Sequence, residues 1–200
     1  MPVDEHSFDV NKKAWKKKFR RKDLVKTILN CKGALRINRG QLLKHQKYNE
    51  EFIVKVLMWG FPTGGRGNNI KQVLKSKSIK KLSEYLISEN LEEEWESIVL
   101  NKNEKVPGLG ISSLSKLLYF SRKRIQDYRC VILDKNVADV INHSKFDEFG
   151  NFRVNLYSNR KEEYVRYLEK MDDISKKLEL SSPDKLEMFL YCFGNNVSTT

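Results

Sequence analysis

The chain has 200 residues, 40% apolar and 32% charged, which suits one domain or two small ones with a sizeable core and excludes a wholly disordered chain. Its 38 Lys and Arg outnumber 26 Asp and Glu for a net charge of +12, a balance that favours polyanionic partners. No apolar run approaches the roughly 20 residues of a membrane helix, the N-terminus lacks the apolar core of a signal peptide, and three distant cysteines and three scattered histidines offer neither a disulfide scaffold nor a metal cluster. A protein of the reducing cytoplasm, with no membrane partner and no metal, is expected.

The charge is unevenly placed. Residues 1–80 hold 20 Lys and Arg against 6 Asp and Glu, whereas residues 81–200 hold 18 against 20. The densest run is Lys12, Lys13, Lys16, Lys17, Lys18, Arg20, Arg21, Lys22 and Lys26, interrupted by Asp23. Such a run attracts nucleic acid through counterion release, with Lys16, Lys17 and Arg20 as candidate contacts. Taken alone, it reads better as a solvated helix face. Trp15 and Phe19 lie four apart inside it and share one helical face, the pattern of a docked amphipathic helix.

In chain order, residues 9–30 read as helix and 33–40 as a loop. Residues 47–59 form an apolar-periodic helix. The segment 60–69, with Gly60, Gly64, Gly65 and Gly67, must be irregular. It has no lysine in register for a phosphate-binding P-loop. Glycines around Arg66 point to close approach of a base edge or phosphate. Trp59 and Phe61 are candidates for stacking on an extruded base, although Trp59 fits the core better. Helices are expected at 69–76, 78–89 and 91–100. A polar linker then leads into Val106-Pro107-Gly108-Leu109-Gly110, followed by a helix at 111–122. A short helix runs from Asp134 to Asn142. Residues 146–156 are a loop or one short hairpin. An amphipathic helix covers 160–179, and the last helix starts with Ser182 as N-cap and Pro183 at its first position and ends at Gly194. The fold class is mainly α. One helical domain is expected over 1–200, with a basic N-terminal segment at 1–46 and a core at 47–200.

Two helices joined by a Pro-Gly-x-Gly turn make a helix-hairpin-helix. Gly108 and Gly110 allow backbone N–H groups, with the start of the next helix and Ser112, to meet a phosphate. Some twenty residues on comes the apolar approach Cys130-Val131-Ile132-Leu133, then Asp134 at a helix start.

In this order of elements the chain resembles the helix-hairpin-helix DNA glycosylases, and most of all the small bacterial proteins with an 8-oxoguanine DNA glycosylase fold. The resemblance covers roughly residues 50–194. It rests on Trp59-Gly60-Phe61-Pro62-x-Gly64-x-Arg66-Gly67, Pro107-Gly108-Leu109-Gly110-Ile111-Ser112, Ser115-Lys116-Leu117-Leu118-Tyr119-Phe120, Ile132-Leu133-Asp134-x-x-Val137, and Leu186-Glu187-x-Phe189-Leu190-x-x-Phe193-Gly194. It implies DNA as partner, a flipped nucleotide, and a carboxylate at Asp134 that offsets charge on the sugar as the base leaves. It also implies a lysine nucleophile two residues after the second hairpin glycine. Here that residue is Ser112. Lys116, one helical turn later, is the nearest substitute. Burial among Leu117, Leu118 and Phe120 would favour its neutral amine, and Phe120 is a further base-pocket candidate. Glu187 reads as a helix-surface charge or a second carboxylate facing the cleft, the surface reading being preferred. Zinc deaminase, nucleophilic-serine and iron–sulfur motifs are absent, so no cofactor is expected. The functional expectations are a base-excising glycosylase with or without lyase activity, a non-catalytic nucleic-acid-binding module, or a glycosylase fold turned to modified nucleosides in antiphage defence. The oligomeric state is not legible.

Overall fold

A computed structural model describes residues 2–17, 22–65, 67–100, 105–143 and 146–194, with the backbone alone at 22, 25 and 26. Candidates Arg20 and Arg66 lie outside the described residues, as does Phe19. The architecture is mainly helical, and the chain divides into two compact units, residues 1–109 and 110–200.

The first unit opens with a two-stranded antiparallel ribbon. Strand β1 (Ser7–Val10) pairs with β2 (Leu35–Asn38), Phe8 opposite Ile37. The single helix expected over 9–30 is therefore replaced by β1, α1 (Lys12–Lys16) and α2 (Lys22–Leu29), and part of the expected loop at 33–40 is β2. The physical reason is non-local. Four-residue strands gain their hydrogen bonds from partners 25 to 31 residues away, which helical periodicity cannot register. Asn11 marks the break, its side chain accepting a bond from the Ala14 N–H to cap α1.

Helices α3 (Arg39–Leu43) and α4 (Glu50–Gly60) follow. Asn38 and Gln41 form a reciprocal capping box, and Asn49 caps α4. Seven residues of α4, Phe52 to Trp59 except Lys55, are buried. Trp15 of α1 is fully buried and donates its indole N–H to the Phe61 carbonyl at 3.0 Å, which anchors α1 to the core. Helices α5 (Asn69–Val73), α6 (Ser76–Ile87) and α7 (Leu91–Val99) complete the unit.

The second unit contains α8 (Ile111–Phe120), a tight hairpin of β3 (Arg124–Ile125) and β4 (Tyr128–Arg129), α9 (Lys135–Asn142), α10 (Lys161–Lys177) and α11 (Pro183–Phe193). The β3–β4 hairpin falls between the expected helix at 111–122 and the apolar approach at 130–133, where no element was expected. Between α9 and α10 no hairpin forms among the described residues. Asp147–Phe149 is a single 3-10 turn, and the Asn142 side chain brackets Val154, donating to its carbonyl and accepting from its N–H, both at 2.9 Å. Two terminal signals of α11 act differently from expectation. The Ser182 side chain makes no capping bond, and Gly194 keeps right-handed φ of −57°. A side chain at Gly194 would meet Val140 of α9 at 2.6 Å, so close packing, not turn conformation, requires glycine there.

Gly108 has φ of +80°, and an added Cβ would lie 2.4 Å from the Asn69 carbonyl oxygen. Conformation and space both exclude a side chain. Gly108→Ala is expected to destabilise the protein by about 2 kcal/mol or more, from left-handed strain of about 1–2 kcal/mol plus backbone displacement. Urea unfolding compared with wild type measures it.

Candidate active site

Helix α8 carries an unusual sequence for a buried element. Nine of its ten residues are buried, and these include Ser113, Ser115 and Lys116. Gly110 stands at its N-cap, and the Ile111 N–H donates to Asn159 Oδ1 at 3.1 Å. One donor expected to face a phosphate is thus already engaged by a side chain. Ser112 is the second residue of the helix.

Side chains on a helix lean back towards its N-terminus, so a lysine at i+4 can lay its amine over residue i. Lys116 does so. Its Nζ donates to the Ser112 carbonyl and to Ser112 Oγ, each at 3.1 Å, and the residue is 3% exposed. The amine of Lys116 therefore sits beside the Ser112 side chain, although its Cα is one turn away.

Asp134 reaches the same place from a different element. It caps α9: Oδ1 accepts from the Val137 N–H at 3.2 Å. Oδ2 lies 3.8 Å from Lys116 Nζ, with side-chain exposures of 16% for Asp134 and 3% for Lys116. The cap fixes which oxygen faces the amine. Capping and pairing are thus compatible uses of one carboxylate.

What holds Asp134 in place is the segment before it. Residues 130–133 are buried and belong to no helix or strand. Buried backbone groups need partners, and here side-chain hydroxyls supply them. Tyr164 Oη donates to the Val131 carbonyl and Tyr167 Oη to the Ile132 carbonyl, both at 2.7 Å. Ser115 Oγ accepts from the Leu133 N–H at 3.1 Å and donates to the Leu133 carbonyl at 3.3 Å, sharing its proton with the Ser112 carbonyl. Burial, reinforced by Cys130, Tyr167 and the charge of Glu187, pushes the Tyr164 hydroxyl well above the ordinary tyrosine value. It stays protonated and donates to the Val131 carbonyl.

Glu187 corrects the preferred surface reading. It is 2% exposed on α11, and its charge is felt at Tyr164. Residues 186, 187, 188 and 190 are all buried, because the packed face of α11 is wider than the spacing of its large apolar residues suggests.

The other candidates are distributed as follows. Lys16 and Lys17 are exposed at the end of α1. Trp59 is 4% exposed. Its indole donates to the His6 carbonyl at 3.4 Å, and Arg39 lies over its ring at 5.4 Å. Phe61 is partly exposed at the C-cap of α4, and Phe120 is fully buried in the second unit. Sequence reasoning missed Ser115, Tyr164 and Tyr167. A serine beside Lys116 in an apolar run, and two tyrosines three apart on an amphipathic helix, were the signals that could have found them.

A mainly helical chain with a Pro-Gly-x-Gly turn leading into one helix, and a capping aspartate opening the next, has the helix-hairpin-helix, glycosylase-like fold. The model of the family described as "Putative 8-oxoguanine DNA glycosylase OGG-like protein" matches residues 1–191, and the chain belongs to that family. Comparison with curated proteins and with solved structures finds no match. Among the described residues, no helix is long and apolar enough to cross a membrane.

Ser115→Ala leaves the Leu133 N–H buried without its acceptor. A drop of about 1–3 kcal/mol in stability is expected. Ser115→Thr, which keeps the hydroxyl, should recover part of it in the same denaturation assay.

Proposed function

We propose that the protein excises a damaged or modified purine from DNA, with Asp134 and Lys116 as its catalytic pair. The observation that carries this reading is the 3.8 Å approach of Lys116 Nζ to Asp134 Oδ2, in a chain belonging to an 8-oxoguanine DNA glycosylase-like family. Breaking the bond from the sugar C1′ to the purine leaves the electron pair on the base, which takes up a proton from solvent. Cationic character is left on the sugar. A carboxylate held at Asp134 offsets that charge. The nucleophile that completes the step at C1′ is either water or the Lys116 amine. With the amine, the C1′–N bond forms, the amine proton passes to the Asp134 carboxylate, and the sugar opens to an imine that permits strand cleavage.

The position of Lys116 supports the second route. The family's lysine position holds Ser112, yet Lys116 folds back to place its amine on Ser112 Oγ. An amine is delivered to the same neighbourhood from one turn further along α8. DNA contacts are assigned to Gly108, Gly110 and Ser112 at the hairpin, to Arg66 in the glycine-rich segment, and to the basic run including Lys16, Lys17 and Arg20. Of the three aromatic candidates for base stacking, Trp59 and Phe120 are buried and Phe61 is partly exposed. A non-catalytic DNA-binding module is the competing reading, favoured by Ser112 itself.

The test is incubation with duplexes carrying 8-oxoguanine, other altered purines or an abasic site. Asp134→Asn is expected to slow base release about 100- to 1,000-fold, the scale of removing one stabilising charge from the transition state. Borohydride should trap a covalent complex with wild type and not with Lys116→Ala. Base release that survives Lys116→Ala but not Asp134→Asn assigns water as nucleophile. No release from any duplex, with binding intact, favours the module.

Binding has its own signature. Affinity for duplex DNA should fall steeply with salt, and replacing Lys12, Lys13, Lys16 and Lys17 with Glu should flatten the dependence of log K on log salt by about one unit for each phosphate the variant no longer neutralises. Filter binding over roughly 50 to 300 mM salt reads the slope.

A further inference from the structure

Helix α8 does not end on glycine. Its last turn closes through Arg122, which holds a left-handed φ of +53° while its N–H donates to the Tyr119 carbonyl at 2.9 Å and the Lys123 N–H to the Leu118 carbonyl at 3.0 Å. This terminus normally selects glycine. The chain then enters the β3–β4 hairpin, whose two-residue turn again contains a left-handed non-glycine, Gln126, at φ +50°. The register places Arg124 directly opposite Arg129. Residues so opposed project on one face with Cβ atoms roughly 5 Å apart, and like charges there repel.

Both arginines line a cavity of about 210 Å³ within the second unit. Its other charged residues are Asp127, Asp172 and Lys176. Asp172 is already paired with Lys176 at 2.6 Å. Arg124 donates to the Asp127 backbone carbonyl. Arg129 has no ion pair among the described residues.

Two serines border the same space. Ser175 of α10 lines the cavity, is 2% exposed, and its Oγ has no hydrogen-bond partner among the described residues. A buried serine within a helix ordinarily bonds to the carbonyl one turn back, so an idle hydroxyl here is a donor in waiting. Ser182 also lines the cavity, and as N-cap of α11 it makes no capping bond. The N-terminus of α11 adds partial positive charge.

We propose that this cavity binds a phosphoryl group, with Arg124 and Arg129 gripping its oxygens and Ser175 and Ser182 donating to them. An anion between the opposed arginines converts their repulsion into a clamp, and it gives the Ser175 hydroxyl its acceptor. The pull is local. Residues 81–200 are near charge balance, so this is not an extension of the N-terminal basic field. The phosphoryl group belongs either to a nucleic-acid strand or to a free phosphate or nucleotide. The inference is independent of the base-excision reading, and none of its measurements requires catalysis.

Thermal unfolding in sodium phosphate and in sodium chloride at equal ionic strength tests it on wild type, Arg129→Gln and Ser175→Ala. Saturating phosphate should raise the wild-type midpoint by about 2–4 °C more than it raises that of Arg129→Gln. In chloride Arg129→Gln should melt no lower than wild type, because it relieves the opposed charges. Calorimetric titration with inorganic phosphate should show at least about tenfold weaker binding for each variant. Equal phosphate responses in all three proteins, or no phosphate binding by wild type, would overturn the proposal. A 5′-phosphorylated oligonucleotide and its 5′-hydroxyl twin separate the sources. If Arg129→Gln weakens both, the group is a strand phosphate. If it weakens only the first, it is a terminal phosphate. If it weakens neither while phosphate binding is abolished, it is a free phosphate or nucleotide.

Discussion

Everything at the candidate site depends on how the buried segment 130–133 satisfies its backbone. It belongs to no helix or strand, and a polar group left there without a partner would cost about 1–3 kcal/mol; the Cys130 N–H finds the Lys123 carbonyl at 3.1 Å. Tyr164, Tyr167 and Ser115 provide the partners for three successive residues. The result is a rigid approach to Asp134 built without regular structure. Because Ser115 precedes Lys116 directly, the same helix that clasps Leu133 also projects the amine towards the carboxylate. The Ser115 hydroxyl thus ties the helix that carries Lys116 to the segment that leads into Asp134.

A lysine with 3% exposure in an apolar helix is costly unless its charge is compensated. The Ser112 carbonyl and hydroxyl accept from it at 3.1 Å, and Asp134 lies 3.8 Å away. Removing one partner of such a buried pair is far more disruptive than replacing both. Stability alone would not select such an arrangement.

The sequence disclosed the helical class, the hairpin turn and Asp134 at a helix start for identifiable reasons, whereas Lys116 was singled out by the resemblance to the glycosylases. Helical periodicity is local, Pro-Gly-x-Gly has few conformations, and an apolar run ending in Asp announces a capped helix. The β1–β2 ribbon was hidden because its partners are distant in sequence and Asn11 interrupts the helical pattern of the basic run. Tyr164 and Tyr167 passed as ordinary members of an amphipathic helix, since only the fold reveals which carbonyls their hydroxyls meet. Glu187 was misjudged by residue type. A carboxylate at helical spacing reads as surface until the neighbouring elements are in place.

Gly194 and Val140 bear on all this from a distance. Their contact leaves no room for even a methyl group between the end of α11 and the body of α9. Val140 lies six residues along the helix from the Asp134 cap, about 9 Å at helical rise. Helix α9 is thus held at one end by its capping carboxylate and near the other by bare backbone, like a beam seated at two supports. A bulkier residue at 194 would act as a wedge under the far support and tip the near one. The alignment of Asp134 with Lys116 is in that sense set to a tolerance fixed sixty residues further along the chain.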